Sequence, residues 1–204
     1  MFSKIAALLG KNKAGAPAIS TTTTTFDNDV LTINADPYLR VADPALRLIS
    51  VFDDLKYDRA DLDMMSGPMR NRALSVLQPL GVRQESGAMF VCRAADVRLY
   101  LPKFRALGAS PFDATRDTTR RAQDYYILTP TQTACQLIDN YPIDDAVEKI
   151  KTLIAEQPVN LLRILDFLDK SDRHQTAKGA IGHLMYVQRL AIQTEPLCRR
   201  RALR

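Results

Sequence analysis

A chain of 204 residues, 46% hydrophobic and 25% charged, has the make-up of one globular domain or two small ones, and roughly 70% of its unfolded surface can be buried without help from disulfides or metal. Its three well-separated cysteines, Cys92, Cys135 and Cys198, exclude a disulfide framework or a thiolate metal site by spacing, and no apolar run approaches the roughly 18 residues of a membrane-spanning helix. The net charge of +5 sits at the ends: Lys4, Lys11 and Lys13 in residues 1–13 and four arginines in residues 199–204 leave about −2 for everything between, which argues against a body with a basic nucleic-acid face.

In chain order, residues 1–9 place Met1, Phe2, Ile5, Leu8 and Leu9 on one side of a short helix, with Ser3 and Lys4 on the other and Lys11 and Lys13 behind. An apolar face flanked by lysines suits a membrane interface with anionic headgroups, or a docking groove on a partner. The expected docking residues are therefore Phe2, Lys4, Ile5, Leu8, Leu9, Lys11 and Lys13. Residues 10–25, with Gly10, Gly15, Pro17 and an unbroken run from Thr21 to Thr25, read as a flexible linker.

Phe26 to Ala35 alternates weakly around Val30, Leu31 and Ile33 and is expected to be a strand. Asp36–Pro37 and Asp43–Pro44 read as helix starts, the second leading into an amphipathic helix through Ala45, Leu48, Ile49, Phe52 and Leu55. Asp53, Asp54, Asp58, Asp61 and Asp63 lack the alternation and glycine of a calcium loop and are expected to form a solvated acidic face.

Gly67 and Pro68 start a helix through Ala73, Val76 and Leu77. Val82 to Gln84 and Ala88 to Cys92 then read as a β-hairpin, and Asp96 to Leu107 as a kinked helix or a strand, Val97 to Leu101, leading into a helical turn. Across residues 70–105, Arg70, Arg72, Arg83, Arg93, Arg98 and Arg105 make a local positive excess, the basis of an alternative reading as a nucleic-acid-binding regulator. Gly108 to Thr119 is the best internal boundary.

From Tyr125 to Ile192 the pattern predicts four amphipathic helices. Thr129, Pro130 and Gln132 form a capping box with proline at the first helical position. Asp144 and Asp145 open the second helix and Pro158 separates it from the third, which is apolar over much of its girth. The fourth is expected from about Arg173 to Gln193, with Gly179 and Gly182 inside it; a neighbouring helix at close range, or a surface left open for a partner, would account for them.

Chemistry is sparse. His174 and His183, nine apart on that predicted helix, point to roughly opposite faces and cannot share a metal there. No glycine-rich phosphate loop and no nucleophile elbow is present. The expected fold is mainly α, a helical bundle or stacked helical hairpins over the C-terminal four helices, with a small β-hairpin in the N-terminal half. The expected organisation is 1–25 as tether and linker, 26–118 as a mixed subdomain and 119–204 as a helical subdomain with a basic tail. The expected function is a non-enzymatic, cytoplasmic interaction or adaptor protein that binds a protein partner, peripherally tethered to anionic membrane, with no cofactor or metal.

Overall fold

The computed structural model describes residues 25–52, 65–102, 121–169 and 174–194. A sheet, not a bundle, is the frame. Its strands are β1 (Leu39–Asp43), β2 (Leu48–Val51), β3 (Arg83–Gln84), β4 (Met89–Cys92), β5 (Val97–Tyr100) and β6 (Tyr125–Leu128), arranged β1-β2-β6-β5-β4-β3. β6 lies in the middle and runs parallel to both β2 and β5; the outer pairs are antiparallel. The α-helices among the described residues are α1 (Thr25–Leu31), α2 (Gly67–Leu77), α3 (Pro130–Asn140), α4 (Ile143–Glu156), α5 (Leu161–Leu168), α6 (Gln175–Lys178) and α7 (Ile181–Thr194).

The pleat of the strands sorts the core into two layers, because successive side chains leave a strand on opposite faces. Ile49, Val51, Leu99, Tyr125 and Ile127 pack against Phe26 and Val30 of α1 and Met69, Ala73 and Leu77 of α2. Leu48, Tyr100, Tyr126 and Leu128 pack against α3 to α7, through Leu137, Ile150, Ile164 and Leu184 among others. The result is a three-layered α/β fold. The expectation of a mainly α protein with a small hairpin is thereby corrected.

The correction has a local cause. The spacing of Ala45, Leu48, Ile49, Phe52 and Leu55 fits a helix, yet residues 48–51 are a continuous run whose four side chains are all buried, the signature of a central strand covered on both faces. Tyr125–Leu128 is the same kind of run, and it is the strand at the centre of the sheet. The Asp–Pro pairs serve turns rather than helix starts: Asp36 Oδ1 accepts from the Tyr38 amide at 2.9 Å, and Asp43 Oδ1 from the Leu46 amide at 2.7 Å. Phe26 to Ala35 is helix α1 followed by a 3-10 turn, burying Phe26, Val30 and Ile33 at helical spacing.

Several local expectations hold. The hairpin is β3–β4, the 97–101 segment resolves as strand β5, and α2 starts at Ser66, whose hydroxyl accepts from the Met69 amide. α3 carries the capping box: the Gln132 amide donates to Thr129 Oγ1 at 3.1 Å, and the Thr129 amide to Gln132 Oε1 at 3.2 Å. Pro130 to Ile138 are all buried, so α3 is an interior helix between the sheet and its neighbours. Cys92 and Cys135 are buried free thiols. The predicted fourth helix breaks at Gly179 and Ala180 into α6 and α7.

Candidate functional site

Charged clusters gather at the amino ends of the three parallel strands. Asp43, with a fully buried side chain, accepts from Lys149 Nζ at 2.7 Å and from the Tyr141 hydroxyl at 3.0 Å, which fastens the β1–β2 turn to α3 and α4. Arg47, at a positive φ of 54°, grips both oxygens of Asp27 on α1 and lies over the Tyr125 ring, whose hydroxyl also donates to Asp27. Asp124, also fully buried at its side chain, is held by Arg98 and Arg121, and Arg121 reaches on to Asp96.

Burial, then the bond to Asp27, hold the Tyr125 hydroxyl well above the ordinary phenol range, and burial with the nearby Asp43 charge raises that of Tyr141. The hydrogen bond to Asp43 raises Lys149, and those to Asp124 and Asp96 raise Arg98 and Arg121. A general base or nucleophile needs shifts in the opposite direction. These clusters pin elements together.

The carboxyl ends of parallel strands are where open α/β sheets commonly bind ligands. Among the described residues, uncharged groups meet at that end: Ser50 Oγ donates to Gln157 Oε1 at 2.9 Å, and the Asn160 amide donates to Thr131 Oγ1 at 2.8 Å, which ties the α4–α5 joint to it; the segments that follow β2 and β5 there, 53–64 and 103–120, lie outside the described residues. Gln132 Nε2 and Gln157 Nε2, both buried, find no acceptor among the described residues. A cavity of about 510 Å³ lies against Gln78, Val82, Arg83 and Gln84, beside β3, with no acid, histidine or cysteine among the described residues of its lining.

The arginines of the nucleic-acid reading divide: Arg83 and Arg98 flank Val91 on one face of the sheet, and Arg70 and Arg72 lie on α2, which packs against the other. Arg70 donates to the carbonyls of Leu101 at 3.0 Å and Gly87 at 2.5 Å, Arg72 pairs with Asp36, and Arg98 is held by Asp124. Arg83 and Arg93 are exposed; Arg105 lies outside the described residues. So do the N-terminal docking residues Phe2, Lys4, Ile5, Leu8, Leu9, Lys11 and Lys13, the 10–24 linker, the aspartates from 53 to 63, and Cys198.

The histidines separate further than one helix would place them. His174 precedes α6, is buried and stacked on Phe167, and brings Nε2 to 2.9 Å from Asp139 Oδ1, off the direction of a good hydrogen bond. His183 is exposed on α7. No group of histidine, cysteine or acidic side chains among the described residues is arranged to hold a metal. No helix among them is long and apolar enough to cross a membrane.

One surface stands apart. Five large apolar side chains are exposed among the described residues, and three of them, Met185, Tyr186 and Leu190, lie on α7. Ile181, Leu184 and Ala191 face inward against the helical layer, and Gln188 clamps the Val159 backbone with bonds of 2.8 and 3.0 Å. The opposite side of the helix, carrying Gly182, Tyr186, Arg189 and Leu190, is left uncovered. The sequence singles out Gly182 on this face, but helical spacing alone does not say that Met185, Tyr186 and Leu190 stay uncovered.

The fold and these features define a three-layered α/β protein with paired polar clusters and, among the described residues, a concentration of exposed apolar side chains on α7. Comparison with family models, with characterised proteins and with solved structures finds no match to the chain.

Proposed function

We propose that the chain is a non-enzymatic interaction or adaptor protein that docks a protein partner on the outer face of α7. The observation that supports this is the concentration of exposed Met185, Tyr186 and Leu190 on one short helix, since such apolar patches mark interaction sites. The ionisable clusters support it indirectly, being engaged with one another in hydrogen bonds and ion pairs.

The test is a photo-crosslinking amino acid in place of Tyr186, with Glu85, exposed on another part of the surface, as control. A discrete adduct at the first position only, lost when Leu190→Glu is added to a variant with unchanged thermal unfolding, supports the reading. Adducts equal at both positions, or none, remove it.

Tethering to an anionic membrane through Phe2, Lys4, Ile5, Leu8 and Leu9, with Lys11 and Lys13 beside them, belongs to the same proposal, as does a cytoplasmic setting. It rests on the amphipathic pattern of residues 1–13. Sedimentation with anionic vesicles should lose the protein from the pellet when those residues are deleted; equal pelleting removes the tether and leaves the α7 reading standing.

A further inference from the structure

We infer that two copies of the chain join edge to edge at β3, antiparallel about a two-fold axis at Gln84, so that one sheet runs through both. The two edges of the sheet are finished differently. At β1 the Val41 amide, which turns away from β2, donates to Asn34 Oδ1 at 2.8 Å, so the chain caps that edge with its own side chain. At β3 the Glu85 amide donates to the Met89 carbonyl at 3.0 Å, and Arg83 stands opposite Val91. Hydrogen-bonding groups alternate from side to side along an antiparallel strand. The main-chain groups of Arg83 and Glu85 therefore turn toward β4. Those of Gln84 turn outward, where no main-chain partner meets them among the described residues. Residues 83–87 are all exposed, and the cavity of about 510 Å³ against Gln78, Val82 and Gln84 leaves room on this side. An uncapped edge is a template for another strand.

Register and charge decide which strand. Near the middle of this edge, pairing through outward-facing groups leaves a two-fold axis at Arg83, Gln84 or Glu85. An axis at Arg83 sets that arginine against its own counterpart, and an axis at Glu85 does the same with the glutamate. Like charges directly opposite are destabilising. An axis at Gln84 pairs the two glutamines through reciprocal main-chain bonds and sets Arg83 of each copy against Glu85 of the other. Arg83 and Glu85 leave the strand on the same face, and in this register they occupy the non-hydrogen-bonded positions, where opposed side chains come closest.

A foreign strand would gain the same main-chain bonds. The sequence Arg83-Gln84-Glu85 is complementary to itself, which is what a two-fold contact requires of a single surface. A contact of so few strand residues buries less than a standard interface, so the dimer forms only as concentration rises.

The experiment is sedimentation of the full-length protein from about 10 μM to about 1 mM. The wild type should shift toward a dimer as concentration rises. Arg83→Glu alone and Glu85→Arg alone should each weaken association at least about tenfold, with thermal unfolding unchanged. An equimolar mixture of those two variants should recover the dimer, because each supplies the charges that the other lacks. Gln84→Pro deletes an outward amide without touching the bonds to β4, and should also be monomeric. A wild type that stays monomeric throughout, a dimer that survives either charge reversal, or a mixture that fails to associate overturns the inference. So does a dimer dissolved by Leu190→Glu but not by Gln84→Pro, which would put the contact on α7. A monomeric wild type that captures an extended peptide, with the capture lost in Gln84→Pro, gives the edge to a foreign strand and overturns the second copy.

Discussion

The Tyr125 hydroxyl donates a 2.6 Å hydrogen bond to Asp27 Oδ1, joining the central strand β6 to α1 across 98 residues of sequence. Arg47 closes the same carboxylate from the other side. The phenol is thereby held between a buried acceptor and a cation stacked on its own ring.

This geometry predicts alkaline sensitivity. The unfolded phenol titrates near 10.0 and the folded one well above it. The native state therefore keeps a proton that the unfolded state releases. Stability from Tyr125 is fully present below pH 10 and declines above it, by about 1.4 kcal/mol per pH unit from this one group. The raised Lys149 acts in the same direction at higher pH. Tyr125→Phe should cost about 2 kcal/mol at pH 8 through the lost bond to a charged acceptor, and should show a shallower loss between pH 10 and 11. Urea unfolding at stepped pH, with phenolate absorbance followed in parallel, measures both; a parallel pH slope in the variant would refute the assignment.

Asp43 and Lys149 predict an asymmetry. The Asp43 side chain is fully buried, whereas that of Lys149 is 38% exposed. Removing the lysine strands a buried carboxylate, so Lys149→Met should cost about 3 kcal/mol. Asp43→Asn leaves a neutral group that still accepts from the Leu46 amide, and frees a lysine that already reaches water, so it should cost about 1 kcal/mol. Chemical denaturation of the two variants decides it; the reverse ranking would mean that water reaches the carboxylate.

The same residues show what the sequence could reveal. The Thr129–Gln132 capping box was legible because both partners lie within four residues, and so was the β3–β4 hairpin with its short turn. β2 and β6 were not, because four residues are too few to carry a period that separates a buried strand from a buried helix. Only pairing decides, and Ile49 meets Ile127 from 78 positions away. The α7 face was half legible: Gly182 stood out as an unexplained glycine, but the exposure of Tyr186 and Leu190 depends on which side of the helix α4 and α5 cover.

The arginines make a prediction that separates structural from surface roles. Arg70 ties the end of β5 to the β3–β4 turn through the carbonyls of Leu101 and Gly87, and lies over the Phe90 ring at 5.3 Å. Arg70→Ala should destabilise by about 1–2 kcal/mol, since it leaves those carbonyls short of a donor. Arg83→Ala, on an exposed two-residue strand, should stay within about 0.5 kcal/mol. The nucleic-acid reading expects instead that Arg83→Ala and Arg93→Ala together weaken a salt-sensitive DNA or RNA shift. Thermal unfolding and a mobility-shift assay on the same variants distinguish the two roles.

Ser50 and Gln157 supply the most discriminating test at the carboxyl edge of the parallel strands. Ser50 sits on β2 opposite Leu128 of β6, and its hydroxyl donates at 2.9 Å to an amide 107 residues away. Ser50→Ala leaves the buried Gln157 oxygen without its donor and should cost about 1–3 kcal/mol. Gln157→Met orphans the serine hydroxyl but also removes an Nε2 that has no acceptor among the described residues, so its cost should be smaller. Combining the two removes both ends of the bond and leaves an apolar contact of similar volume. The double variant should therefore be more stable than the sum of the single losses by about 1 kcal/mol, a coupling measurable in a urea double-mutant cycle. Strict additivity would mean that the α4–α5 joint is held to the sheet by apolar packing around Val159 and Leu161 alone, with the polar tie contributing nothing.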